Sequence, residues 1–311
     1  MDDFAQKVIL VTGGTGSIGS EIVRQLLLSD AAQIRVFSRD EFKQHELRRA
    51  LGGDTRLRFL IGDVRDKDRL NFALRGVDIC FHAAALKHVP ICEYNPFEAV
   101  KTNIVGTQNV IEAAITHNLQ KVVAVSSDKA VSPGSVLGAS KLMMERLIIA
   151  ANLTTGSMRT RFSCVRFGNV LYSRGSVMDL WRAQIAEGGP LTVTHPEATR
   201  YFMEIPQAVS LIFSASTLMQ GGELFVLKMP KRPIIEFAQE AIVRHGDGSE
   251  IAIEFIGLRP GEKLHEKLLT EEEESHTLER DDMYIILPEN ISERAAGEEA
   301  RTYDGARPYQ Q

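Results

Sequence analysis

Val8-Ile-Leu-Val-Thr-Gly-Gly-Thr-Gly-Ser-Ile-Gly19 joins a short apolar run, a glycine-rich turn and the start of an amphipathic stretch. The apolar run has the length and β-branched content of a buried strand, and residues 17–29 carry apolar side chains at helical spacing. Between the two, Gly13, Gly16 and Gly19 stand at G-x-x-G-x-x-G spacing. Glycine lets such a turn close tightly and lets a pyrophosphate approach the helix N-terminus, where free N–H groups and the helix dipole favour anions. A glycine pattern alone is weak; strand, turn and helix in this order give it meaning. The segment predicts the first βα unit of a dinucleotide-binding sheet, with Gly13, Gly16, Ser17, Ile18 and Gly19 against the cofactor.

Working outward, strand-like runs recur at 34–37, 57–61, 78–82, 121–125 and 161–167, separated by helix-like stretches at 40–51, 66–75, 95–117 and 138–152. That rhythm is the mark of βαβ units on a parallel sheet. Asn95-Pro96 reads as an N-cap followed by proline at the first helical position. Beyond about residue 170 the alternation weakens, and Gly188-Gly-Pro190, Met229-Pro-Lys-Arg-Pro233 and Arg259-Pro-Gly261 break the chain into shorter elements. The expected fold class is α/β: a Rossmann-like doubly wound parallel sheet over residues 1–170, with further core contributions after residue 200. A smaller C-terminal substrate-binding lobe is expected over 171–285 and a polar tail over 286–311. The acidic run Glu271-Glu-Glu-Glu274 reads as solvated surface, the tail as loose, and Met143-Met144 as helix core.

Composition narrows the function classes. Among 311 residues, 36 Lys and Arg face 41 Asp and Glu, so the net charge of −5 leaves no basic surplus for nucleic acid. An apolar content of 44% with 25% charged residues is that of an average globular chain, which excludes disordered and disulfide-scaffold classes. No apolar run reaches the ~18 residues of a membrane span, so no membrane partner is expected. Met1-Asp-Asp-Phe4 lacks the basic-then-apolar order of a secretion signal, which places the chain in the cytoplasm. Cys80, Cys92 and Cys164 form neither a disulfide framework nor a zinc pattern and read as buried thiols. His82 and His88 have no third ligand at metal spacing, so no metal is expected. Soluble homo-oligomers are usual for this architecture, and one is expected here.

The tip of the second strand reads Phe37-Ser-Arg39, where an NAD enzyme carries an acid for the ribose 2′-hydroxyl. Ser38 cannot play that part, whereas Arg39, with Lys43 one turn into the next helix, suits a 2′-phosphate. NADP is therefore expected rather than NAD, with Asp40 and Glu41 nearby as the counter-indication. Asp63 in Gly62-Asp-Val64 offers a carboxylate to the adenine amine. Val64 and the strand-end residues Ala83 and Ala85 complete the expected cofactor set.

Strand ends four and five read His82-Ala-Ala-Ala85 and Ser126-Ser-Asp-Lys129, and Lys141 follows in the next helix. This arrangement resembles the extended short-chain dehydrogenase/reductase family over essentially the whole chain. The resemblance implies that Ser127 polarises a substrate hydroxyl and that Lys141 holds the nicotinamide ribose. It also implies a tyrosine at position 137, where this sequence has leucine, a residue that takes up no proton. Five segments narrow the resemblance: Phe37-Ser-Arg-Asp-Glu-Phe-Lys-Gln-His45, Ala84-Ala-Leu-Lys-His-Val-Pro90, Ser127-Asp-Lys-Ala130, Arg166-Phe-Gly-Asn-Val170 and Gly257-Leu-Arg-Pro-Gly-Glu-Lys263. Together they are similar to UDP-N-acetylglucosamine 4,6-dehydratases, which oxidise the sugar 4-hydroxyl with bound NADP, eliminate water across carbons 5 and 6, and return the hydride to carbon 6.

That chemistry needs a base for the carbon 5 proton and an acid for the departing 6-hydroxyl. Asp128 is assigned as acid and Lys129 as base. The resemblance includes a branch that carries methionine in place of the tyrosine and retains configuration at carbon 5, whereas tyrosine-bearing members invert it; Leu137, similarly apolar, inclines the expectation toward retention. By resemblance Asn169 donates to the diphosphate region, Arg200 and Arg259 clamp the phosphates, Glu262 accepts from the nucleoside ribose and Lys87 faces the cofactor and sugar. Three alternatives stay open: a 4-epimerase of the same fold, which Leu137 argues against; a 5,6-dehydratase that redirects the hydride; and a non-catalytic NADP-binding protein.

Overall fold

The computed structural model describes residues 2–154, 160–248, 250–288 and 302–309. Its first half alternates β1 (Val8–Thr12), α1 (Ser17–Leu26), β2 (Gln33–Ser38), α2 (Glu41–Ala50), β3 (Leu57–Ile61), α3 (Lys67–Leu74) and β4 (Ile79–His82). It continues through α4 (Val89–Tyr94), α5 (Pro96–Ala99), α6 (Gly106–Thr116), β5 (Lys121–Val125), α7 (Val136–Thr154) and β6 (Arg161–Arg166). The short polar side chains preceding two of these helices cap them: Asp40 accepts from the Lys43 N–H and Asp66 from the Arg69 N–H, each at 2.9 Å. The stretch expected as one helix over 95–117 is instead α5, a π-helical turn over Val100–Val105, and α6. Inside that π-turn Asn103 is fully buried and its amide brackets the Leu86 backbone, accepting from its N–H at 2.8 Å and donating to its carbonyl at 3.2 Å. The widened turn aims this side chain at the loop after β4.

The second half contains β7 (Asn169–Val170), α8 (Val177–Ala186), β8 (Leu191–Val193), β9 (Thr199–Met203), α9 (Ile205–Leu218), β10 (Leu224–Leu227) and β11 (Lys231–Pro233). It closes with α10 (Ile234–His245), β12 (Ile253–Phe255), α11 (Glu271–Glu274), β13 (Thr277–Glu279), β14 (Met283–Ile286) and β15 (Arg307–Pro308). The main sheet has the order β15-β13-β14-β10-β6-β5-β4-β1-β2-β3. From β3 to β10 every pairing is parallel; β14, β13 and β15 add antiparallel strands at the far edge. This is the Rossmann-like doubly wound sheet, and its order reverses between β1 and β4. The crevice at such a switch point, beyond the strands' C-terminal ends, is where ligands bind in open α/β sheets.

Apolar side chains cover both sheet faces. Ile22 and Leu26 of α1 pack with Val209 and Ile212 of α9 on one face; Leu70, Val110, Met144 and Ile148 of α3, α6 and α7 pack on the other. Met144 is core as expected, whereas its neighbour Met143 is exposed. A separate core of Trp181, Val193, Phe202 and Phe237 holds together α8, α10 and the small strands, with the Trp181 indole donating to the Thr192 carbonyl at 2.9 Å.

Two expectations are corrected. The acidic run is not wholly solvated: the fully buried Arg166 guanidinium meets Glu145 of α7 and Glu273 of α11, each at 2.8 Å, because a charge inside the sheet requires counter-charges. Nor is the described part of the tail loose. Tyr303 is buried with its hydroxyl donating to Glu223 at 2.8 Å, and β15 pairs with β13. The rest of that tail, residues 289–301, 310 and 311, lies outside the described residues.

Candidate active site

A single cavity of about 730 Å³ runs from the tips of β1–β3 to the body built around Trp181. Its first end is made by the turn after β1. Gly13 has a φ of +63°, and a Cβ there would stand 2.8 Å from the Ala84 backbone; a Cβ on Gly19 would meet the Gly13 carbonyl at 2.3 Å. These glycines bring strand, turn and helix closer together than any side chain would permit, and no side chain caps the N-terminus of α1. The cradle fits a dinucleotide pyrophosphate, and Gly13, Gly16, Ser17, Ile18 and Gly19 all line it.

Beyond the turn the cavity is lined by Ser38, Arg39 and Lys43, by Asp63 and Val64, and by Ala83 and Ala85. Asp40, the acid nearest the β2 tip, is engaged as the α2 cap and in an ion pair with Lys43 at 2.9 Å. Asp63 is pulled in two directions: burial raises its proton affinity, but hydrogen bonds from Arg65 at 2.7 and 2.9 Å, with Arg39 at 3.6 Å, leave its carboxyl below the usual range. Its carboxylate is thus held ionised at the place expected for the adenine amine.

At the middle strands Ser127, Lys129, Leu137 and Lys141 line the cavity. Lys141 is 6% exposed and donates to the Val125 carbonyl at 2.8 Å; burial pushes its amine down to about 8. Leu137, 2% exposed, packs with Cys92 and Ala99, so the position at which the resemblance implies a tyrosine is hydrocarbon here. Asp128 is the departure. Its side chain is 0% exposed and does not line the cavity; Oδ1 accepts from Ser127 Oγ at 2.8 Å and from Lys129 Nζ at 3.0 Å. The carboxyl expected to face the sugar stands behind two groups that line the cavity. Both hydrogen bonds fall on Oδ1, and Oδ2 is buried with no hydrogen-bond partner among the described residues.

The cavity is also lined by Lys87, Asn169, Arg200, Arg259 and Glu262. Asn169 Oδ1 accepts from Lys129 Nζ at 3.2 Å. Arg200 is pinned by Glu262 at 2.7 Å and by the Thr199 and Leu264 carbonyls at 2.9 and 3.0 Å, and Glu262 also accepts from the Arg259 N–H at 3.3 Å. Lys87 Nζ donates to the Arg174 carbonyl at 2.6 Å.

The sequence reading missed two charged groups that line the cavity, Arg174 and Glu266. Glu266 is 3% exposed, with Oε1 4.0 Å from Lys129 Nζ and Oε2 3.5 Å from Lys263 Nζ. Both lie in loops without periodicity, and the one signal for Glu266 is its position three residues beyond the Gly257–Lys263 segment. His82 and His88 do not converge: the His82 ring is held between Thr12 Oγ1 at 2.7 Å and Thr107 Oγ1 at 3.1 Å.

Comparison with known proteins agrees with this geometry. Residues 9–288 match the family described as polysaccharide biosynthesis protein. The chain is 52% identical to an uncharacterized membrane protein of Methanocaldococcus jannaschii, covering 93% of this chain and 88% of that one. It is 42% identical to a UDP-N-acetylglucosamine 4,6-dehydratase (inverting) of Campylobacter jejuni over 92% and 84% of the two chains. A protein of Rickettsia canadensis named UDP-glucose 4-epimerase is equally close, 42% over 91% and 83%. Among solved structures, Pen from Bacillus thuringiensis superposes with a TM-score of 0.90 at 45% identity, covering 92% and 89%. A dTDP-glucose 4,6-dehydratase of Streptomyces venezuelae solved with NAD superposes with a TM-score of 0.76 at 25% identity, covering 84% and 87%. The doubly wound, mostly parallel sheet is thus shared with nucleotide-sugar dehydratases and epimerases, and the chain belongs to the polysaccharide biosynthesis protein family.

Proposed function

We propose that the chain is a nucleotide-sugar 4,6-dehydratase that converts UDP-N-acetylglucosamine to a UDP-4-keto-6-deoxy sugar with NADP. The observation that carries this reading is the hydrogen-bonded Ser127–Asp128–Lys129 cluster at the end of β5, whose Ser127 and Lys129 line the cavity together with Lys141. Arg39 and Lys43, with Asp40 committed to its cap, support NADP over NAD. A bound nicotinamide dinucleotide would take hydride from carbon 4 and return it to carbon 6.

Ser127 and Lys141 would share the 4-hydroxyl proton, with Lys141 also holding the nicotinamide ribose. The 4-ketone acidifies the carbon 5 proton, which the Lys129 amine takes. Asp128 touches both Lys129 and Ser127, so the acid assigned to it acts through these neighbours: it resupplies Lys129, which protonates the departing 6-oxygen and later carbon 5. Overall the sugar loses the carbon 5 proton and the 6-hydroxyl as water, and the proton released at the 4-hydroxyl replaces the one lost from carbon 5. With Leu137 offering no proton, removal and return both run through Lys129, which gives retention at carbon 5. Asn169, Arg200, Arg259, Glu262 and Lys87 would hold the UDP moiety and the sugar.

Incubation with UDP-N-acetylglucosamine in heavy water tests the reading by mass spectrometry and NMR. The expected product has lost one water, carries a single deuterium at carbon 5 and keeps its configuration. Unchanged mass with inversion at carbon 4 assigns the 4-epimerase instead; an inverted carbon 5 refutes the single-lysine argument alone. A 5,6-alkene product identifies the 5,6-dehydratase, and no turnover despite NADP binding the non-catalytic reading.

A further inference from the structure

Glu266 stands where a carboxylate is hard to keep. It is 3% exposed and lines the cavity, yet the mechanism above gives it no part. Its Oε2 is buried with no hydrogen-bond partner among the described residues, and only the charge of Lys263, with Nζ at 3.5 Å, bears on that oxygen. Oε1 lies 4.0 Å from Lys129 Nζ. Burying a charge is costly unless it is both paired and hydrogen-bonded, so this carboxylate is incompletely compensated. The loop that carries it is fastened to the turn that carries Lys129. Lys263 Nζ donates to the Val131 carbonyl, one residue past the Asp128–Ala130 turn. Gly261 has a φ of +75°, and a Cβ there would stand 2.7 Å from Ser135 Cβ, which draws the loop against the residue before α7. The helix itself closes on the turn, since a Cβ on Gly138 would meet the Lys129 carbonyl at 2.3 Å. Packed backbone thus holds Glu266 and Lys129 near each other.

We propose that Glu266 is a positioning residue for the elimination step, stabilising the ammonium that Lys129 becomes on taking the carbon 5 proton. As a free amine Lys129 has two N–H bonds, which match Asp128 Oδ1 at 3.0 Å and Asn169 Oδ1 at 3.2 Å, and one lone pair left for carbon 5. When the carbon 5 C–H bond breaks, its electron pair goes into the enolate of the 4-ketone and its proton becomes the third N–H. The nitrogen then bears a full positive charge 4.0 Å from Glu266, and an opposite charge within about 4–6 Å favours the charged form. Glu266 takes no proton itself. Hydride removal from carbon 4 leaves the charge on Lys129 unchanged, so Glu266 acts on elimination and not on oxidation. The inference rests on the dehydratase reading above, and the experiment separates the two.

The wild-type chain and Glu266→Gln and Glu266→Asp variants are loaded with NADP and mixed with UDP-N-acetylglucosamine in single turnovers. Nicotinamide absorbance follows oxidation at carbon 4, and mass spectrometry of quenched samples follows the loss of water. UDP affinity by calorimetry and the melting temperature are recorded beside them. Glu266→Gln keeps the shape and removes the charge. It is expected to oxidise carbon 4 and bind UDP within about two-fold of wild type but to lose water about ten-fold more slowly or more. Reduced dinucleotide then accumulates together with a 4-ketone that still carries its 6-oxygen. Glu266→Asp keeps the charge and should fall in between, and it carries the comparison if the glutamine variant melts early. Water loss at the wild-type rate in the folded variants overturns the proposal. Equal slowing of both steps, or a fall in UDP affinity, also overturns it and makes Glu266 a structural anchor of its loop. A wild-type chain that forms no dehydrated sugar overturns the dehydratase reading, and the proposal with it.

Discussion

Lys129 meets three oxygens in a small volume, Asp128 at 3.0 Å, Asn169 at 3.2 Å and Glu266 at 4.0 Å, and the proposed proton transfers all pass through its nitrogen. Lys129→Met should lower the dehydration rate by about 10²–10⁴ while leaving NADPH binding intact, as read by product formation alongside fluorescence titration. Leu137 makes the opposite test, since the site acquires a proton carrier rather than losing one. Leu137→Tyr should add the inverted carbon 5 epimer to the NMR spectrum of the heavy-water product. Overpacking costs about 1–3 kcal/mol, so the variant's thermal melt is recorded beside it. At this scale the glycines were legible, because a positive φ and a backbone approach below 3 Å admit no other residue at Gly13. The place of Asp128 in the cluster was illegible. Adjacent side chains at a strand end leave in different directions, and nothing in Ser-Asp-Lys says which of them faces the cavity.

Elements were readable wherever periodicity carried them. Each strand from β1 to β6 overlaps its predicted run, since buried parallel strands are continuous apolar stretches. Charge runs carry no such information. Glu271 to Glu274 looks alike whether it faces water or an arginine over a hundred residues upstream, and Glu273 does the latter through a short helix that Thr270 caps at 3.1 Å. Arg166 in turn links β6, α7 and α11 in one ion cluster. Arg166→Met should destabilise the chain by about 4 kcal/mol in urea unfolding, because Glu145 stays buried without its partner. The double replacement Arg166→Met with Glu145→Leu should recover part of that loss; a double variant no more stable than the single would remove desolvated charge as the cause. The π-turn was equally unreadable, since nothing in residues 95–117 marks the extra residue that swings Asn103 inward.

Across the whole molecule, the sheet buries a titratable group whose cost depends on pH. Burial first, and the nearby Lys141 amine second, push the His82 imidazole down from 6.5 to about 3, so it stays neutral in the folded chain while the unfolded chain takes up a proton below about 6.5. Between those values the unfolded state binds more protons, so stability rises with pH and is lost as pH falls from 6.5 toward 3. Going from pH 6.5 to 4.5 the wild-type chain should lose about 2 kcal/mol more than His82→Gln, by urea unfolding at the two values; parallel losses would refute the assignment. The division of labour was legible in advance only as a weakening rhythm after residue 170; short strands such as β7 and β11 give periodicity too little length to act on. One consequence concerns how the protein is handled. β15 is only two residues long, yet it covers the outer backbone of β13, with the Tyr309 N–H donating to the Thr277 carbonyl at 3.0 Å. Trimming the chain before residue 302 would uncover that ladder and the apolar seat of Tyr303, making a template on which other chains can add strands. Shortened versions should precipitate at concentrations the full chain tolerates, and any truncation for crystals or assays is best made elsewhere.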